Sequence, residues 1–298
     1  MRLARPSGHG GRSHNRKTSM ARLSIRILPA LVGLGMVLAG CSGPESPPAG
    51  DNPAAAERPT PPVVPAPKPP APPRDYKAVA VFVALCDNAH QGIVKVPAAL
   101  GNGQDPANNL YWGAAYGVKT FFAKSLHWAP APSPAMPERD AVLEICAFRS
   151  KGPGRTVEVV AYAYDGARMK EALTDFLEAA AGKNGDLVDL VCFVGHNGLM
   201  DMQLASYPSP MGERRPAAVV LACKSRSYFL EPLRKAGSQP LVTTTGFMAP
   251  EAYTLDAIIR SWAAGDPPET VCRNAAAAYA EYQKCSVRAA ERLFAPGF

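Results

Sequence analysis

Two segments of this 298-residue chain carry residue types suited to nucleophilic chemistry. One reads Gly195-His196-Asn197-Gly198. The other is Ala222-Cys223, with the cysteine 27 positions after the histidine. An imidazole beside a thiol can take its proton, leave a thiolate to attack a carbonyl carbon, and later protonate the leaving group. Glycines flanking a histidine let the backbone come close to a substrate. Asp201, beyond His196, suits a substrate contact or simple solvation. Asp87-Asn88 suit the wall of the same pocket, and equally suit capping the loop that follows them.

Neighbouring elements must bring these residues together. Leu187–Val194 is a near-continuous apolar run and predicts a central strand buried on both faces. Pro216–Ala222 predicts a second strand, running straight into Cys223 and a helix over Ser225–Ala236 that Gly237 stops. A cysteine at a helix N-terminus has its thiolate favoured by the dipole. In open α/β sheets, sites form beyond the carboxyl ends of strands. Further strands are expected at Lys77–Leu85, Ala141–Phe148, Thr156–Tyr164 and Pro240–Thr244. Helices are expected at Leu110–Lys124 and along the stripe Met169, Ala172, Leu173, Phe176, Leu177 and Ala180. Two more follow, through Leu255, Ile258, Ile259 and Trp262, and from Pro267-Pro268 with Val271, Ala275, Ala278, Tyr282 and Cys285 on one face. Trp128–Arg139 is Pro-rich and reads as loop. Strands alternating with helices predict one α/β domain over 76–298, a mostly parallel central sheet with helices on both faces.

The order strand–His, then strand–Ala-Cys, resembles the caspase–legumain–gingipain superfamily of cysteine peptidases, in pattern rather than identity, over roughly 77–245. Here Asn197 stands between His196 and Gly198, and Lys224-Ser225 follow Cys223 without a glycine. The resemblance implies a three-layer caspase-like fold and a cysteine endopeptidase acting on a peptide or protein without a cofactor. Cys223 would be the nucleophile and His196 the base and acid. The backbone N–H groups of Cys223 and of a residue near Gly198 would hold the oxyanion. Asn197, Gly198, Asp201, Asp87 and Asn88 would line the pocket. The other reading is an envelope lipoprotein that keeps the fold as a non-catalytic binding or scaffolding module. The phrases Asn109-Leu110-Tyr111-Trp112 and Met248–Tyr253 are also similar to ones in bacterial lipoproteins, a resemblance that implies no activity.

Other chemistries find less support. Cys86 and His90 have neither the spacing nor a second ligand pair for a metal. Gly101-Asn102-Gly103 lacks the strand-end position and third glycine of a phosphate loop. No nucleophile elbow supports a serine triad. Cys86, Cys146 and Cys192 read as small core residues. No acidic residue adjoining Cys223 marks a pocket for a basic side chain.

The formal charge of +7 would suggest a nucleic-acid partner. Residues 1–40, however, hold seven Lys/Arg and no acidic residue, leaving 25 Lys+Arg against 25 Asp+Glu in the rest. From Met20, taken as the true start, a basic n-region leads into an apolar run, Leu28–Leu38, too short to span a bilayer comfortably. Leu38-Ala39-Gly40-Cys41 resembles the bacterial lipobox, which implies lipidation of Cys41. Ser42 then implies outer-membrane sorting, facing the periplasm or the cell surface. Residues 44–74 contain 13 prolines. Proline fixes φ and removes a donor, so 41–75 reads as a semi-rigid tether. The expected partner is a membrane, through lipid on Cys41; nucleic acid loses its only support.

Overall fold

A computed structural model describes residues 74–137, 140–183, 187–212 and 214–298. Residues 1–73, with Cys41 and nearly all of the expected tether, lie outside the described residues.

Among the described residues, eight strands form one mixed sheet. In chain order they are β1 (Tyr76–Ala84), β2 (Trp128–Ala131), β3 (Val142–Ser150), β4 (Thr156–Tyr164), β5 (Leu190–Val194), β6 (Ala217–Leu221), β7 (Pro240–Thr244) and β8 (Phe294–Ala295). The spatial order is β2-β3-β4-β1-β5-β6-β7-β8. The five strands from β4 to β7 run parallel. The outer pairs β2–β3, β3–β4 and β7–β8 are antiparallel. The helices are α1 (Val118–Lys124), α2 (Met169–Ala180), α3 (Ser225–Ala236), α4 (Ala252–Ala264), α5 (Pro268–Gln283) and α6 (Val287–Glu291).

Strand β1 shows why apolar residues must line both faces. Val79, Val81 and Val83 join one core with Phe122 of α1, Ile258 of α4 and Ala275 of α5. Ala80, Phe82 and Ala84 join the other with Phe176 of α2 and Phe229 of α3. Successive strand side chains point to opposite faces, so a strand covered on both sides loses its alternation and becomes a continuous apolar run. A large apolar side chain contributes about 1.5–3 kcal/mol when fully buried. These two layers therefore hold the fold, and the polar edge of the sheet is left to other uses.

Several expectations are corrected. The helix expected over Leu110–Lys124 is confined to α1. Asn109 Oδ1 accepts the Tyr111 amide, and its Nδ2 donates to the Cys86 and Asn102 carbonyls, so a side chain replaces helical bonding there. Part of the Trp128–Arg139 loop is the edge strand β2, where Pro130 is tolerated because an edge position need not donate. Leu187 is exposed and precedes β5 rather than joining it. Lys284 adopts a left-handed conformation, φ 53°, and ends α5 before Cys285. The buried face of α5 is Val271, Cys272, Ala275, Ala276, Tyr279 and Ala280, while Tyr282 is partly exposed. Among the described residues no helix is long and apolar enough to cross a membrane.

Candidate active site at the carboxyl ends of β5 and β6

Strands β5 and β6 lie side by side and parallel, Leu190 opposite Ala217 and Val194 opposite Leu221. Both consist of β-branched and other apolar residues buried throughout or nearly so. Their carboxyl ends deliver His196 and Cys223 to one edge.

The turn after β5 depends on glycine. Gly195 has φ 147°, and a Cβ there would lie 2.7 Å from the Ala84 carbonyl oxygen of β1. Gly198 packs under α2, where a Cβ would meet Met169 Cγ at 2.4 Å. Between them stand His196, only 8 % exposed, and the fully buried Asn197. Asn197 Nδ2 donates to the Cys223 carbonyl at 2.7 Å, tying the two strand ends together. Its Oδ1 is buried without a hydrogen-bond partner among the described residues. His196 Nε2 lies 2.5 Å from Asp201 Oδ2, and the Asp201 side chain is 45 % exposed.

Cys223 is partly exposed and sits two residues past β6. Its Sγ accepts the Met248 amide at 3.4 Å and faces the Met248 carbonyl at 3.6 Å. Among the described residues no hydrogen bond joins this sulfur to His196. Lys224 follows in the left-handed region, φ 49°, and its amide donates to Gly246 at 2.7 Å. Helix α3 then starts at Ser225, whose hydroxyl donates to Val220 and whose amide donates to Thr244 Oγ1. The turn from β6 to α3 is thus fixed from the β7 side. The Cys223 amide has no acceptor among the described residues, which suits it to receive an oxyanion. The Gly198 amide does not share that freedom, because it donates to the His196 carbonyl at 3.0 Å.

Asp87 and Asn88 stand past β1 on the same edge, and both are bound to their own loop. Asp87 Oδ1 accepts the amides of Ala89 and His90, and its Oδ2 contacts His90 Nδ1 at 2.9 Å. Burial alone would raise this carboxyl, but the His90 side chain and the two amides outweigh it and hold the group below its ordinary range. Asn88 clamps both main-chain groups of Val96. The loop so braced reaches Asp201: a Cβ on Gly92 would stand 3.5 Å from Asp201 Oδ1.

The Met248 main chain contacts the thiol, and Tyr111 lies within electrostatic reach of it; neither is named by catalytic reasoning on the sequence. The phenol of Tyr111 is raised well above its usual range, by burial first and then by the thiols of Cys86 and Cys223. Their signal is the pair of phrases Asn109–Trp112 and Met248–Tyr253, which the fold brings to Cys86 and Cys223. All six cysteines among the described residues are free, and no group of three or more His, Cys, Asp or Glu side chains there is arranged to hold a metal ion.

Fold and edge define an α/β protein with a mostly parallel mixed sheet and a Cys/His-bearing carboxyl edge. No protein-family model matches the chain, and no curated protein or solved structure is significantly similar to it.

Proposed function

We propose that the chain is a lipid-anchored cell-envelope protein, sorted to the outer membrane, whose domain has a three-layer caspase-like fold and acts as a cysteine endopeptidase. The observation that carries this reading is the delivery of His196 and Cys223 by adjacent parallel strands, joined across the edge by Asn197. The Cys223 proton passes to the imidazole, and the thiolate forms a C–S bond to the scissile carbonyl carbon. The carbonyl π electrons move to the oxygen, which the Cys223 amide receives. When the tetrahedral species collapses, the C–N bond breaks and His196 returns the proton to the departing amine. Water, deprotonated by the same imidazole, then displaces the thiolate and releases the acid.

A second reading, a non-catalytic binding or scaffolding lipoprotein, is favoured by one observation. The thiol is engaged with the Met248 main chain rather than with His196. A catalytic complex therefore requires the 245–250 segment or the imidazole to shift when substrate binds. Apo sites are often loose in this way.

Mixed fluorogenic peptides separate the two readings. Hydrolysis that Cys223→Ala and His196→Ala each abolish supports the peptidase. Absence of hydrolysis, with binding of an envelope component that survives Cys223→Ala, supports the scaffold. For the anchor, Cys41→Ser is expected to move the protein from the membrane fraction to the soluble envelope fraction; unchanged membrane association would refute lipidation at Cys41.

A further inference from the structure

We infer that Asp201 is a positioning residue, which holds the neutral His196 ring in its Nε2-protonated form and leaves Nδ1 as the basic nitrogen. An ionised carboxylate only accepts hydrogen bonds, so at 2.5 Å from Asp201 Oδ2 the ring nitrogen must carry the proton. Such a charge-assisted bond is among the stronger ones a side chain makes. The contact is built by the backbone. The Met200 amide donates to Asn197, and the Asp201 and Met202 amides both donate to Gly198, so one tight turn brings Asp201 back over His196. Gly198 lets that turn lie against Met169. The ring is buried, which limits the access of water to Nε2, while the carboxylate is half in solvent. A carboxylate in this place fixes the tautomer of a general base and steadies the imidazolium it becomes. The use made of Nδ1 rests on the peptidase reading; the tautomer itself does not.

The test uses the full chain with ¹⁵N-labelled histidine, the His196 signals being identified by their loss in His196→Ala. Long-range ¹H–¹⁵N spectra of neutral His196 are expected to show the proton on Nε2, with a downfield, slowly exchanging Hε2 that Asp201→Glu retains and Asp201→Ala loses. In parallel, Asp201→Ala is expected to slow iodoacetamide alkylation of Cys223 about 10-fold, a part of the ~10²-fold effect of removing a general base. Asp201→Glu should recover most of that rate, and exposed Cys285 serves as the unchanged reference. A proton on Nδ1, an Hε2 signal unaffected by Asp201→Ala, or equal Cys223 rates in wild type and Asp201→Ala while His196→Ala is slow would overturn the inference alone. Alkylation indifferent to His196, with the Asp201-dependent Hε2 intact, would overturn the peptidase reading and leave the tautomer standing.

Discussion

Cys86 and Cys223 each stand two residues past a parallel strand, on the same edge of one sheet, and their surroundings treat them oppositely. Cys86 is fully buried, and both its main-chain groups are taken by Asn109. Burial pushes its thiol up to about 11, against a lowering contact from Tyr111. Cys223 is partly exposed, is bound by Asn197 through its carbonyl, keeps its amide free of acceptors among the described residues, and directs its sulfur at the main chain of Met248. Position at a strand end therefore does not by itself make a cysteine reactive. What matters is whether neighbouring side chains use up the hydrogen-bonding groups around it and close off water.

The largest expected difference among the thiols is in alkylation. With a thiol near 11, only about 10⁻³ of Cys86 is thiolate at pH 8, and the thiolate is the reacting form. Burial pushes Cys146 and Cys272 up to about 12. Residue-resolved alkylation of the folded chain at pH 8 is expected to modify Cys285 more than ~100-fold faster than these three, with the difference vanishing in denaturant. Rapid modification of folded Cys86 would erase the contrast.

Stability gives the next largest effect. Asn109→Ala removes four hydrogen bonds and strands the Cys86 amide and carbonyl, so a loss of about 3 kcal/mol is expected in urea unfolding. Asn88→Ala frees only the partly buried Val96 groups and should cost about 1–2 kcal/mol. Equal losses would mean that the Asn109 clamp is no more buried in effect than an ordinary loop contact.

The smallest effect concerns acid. Because the folded Asp87 carboxyl is held below its ordinary value, its ionised form contributes stability at pH values above that ordinary value, about 4. The contribution is lost as pH falls through the lower folded value. Acid titration of stability should therefore be shallower below pH ~4 in Asp87→Asn than in the wild type. Identical slopes would remove Asp87 from the account of the β1 edge.

Much of this was legible in the residues. The strands β1, β4, β6 and β7 and the helices α2 and α3 follow from apolar periodicity and from Gly237 as a stop. The shared edge of His196 and Cys223 follows from two apolar runs that end in them. Three things were not legible for identifiable reasons. Strands β2 and β8 are short edge pieces, and Pro130 disguises the first. The expected helix from Leu110 yields to Asn109, whose side chain bonds the backbone across a turn, a competition invisible to a periodic pattern. The pairing of Asp201 with His196 depends on a tight turn that sequence spacing alone does not define, and the contact of Cys223 with Met248 joins segments 25 residues apart.

If His196 serves the thiol of Cys223, the alkylation rate of that thiol depends on the imidazole. Alkylation of Cys223 by iodoacetamide at neutral pH, followed by peptide mass analysis in wild type and His196→Ala, isolates that dependence from any choice of substrate. A rate lower by about 10²-fold is expected in His196→Ala, with Cys285 unchanged in both. Equal Cys223 rates in the two proteins would contradict it.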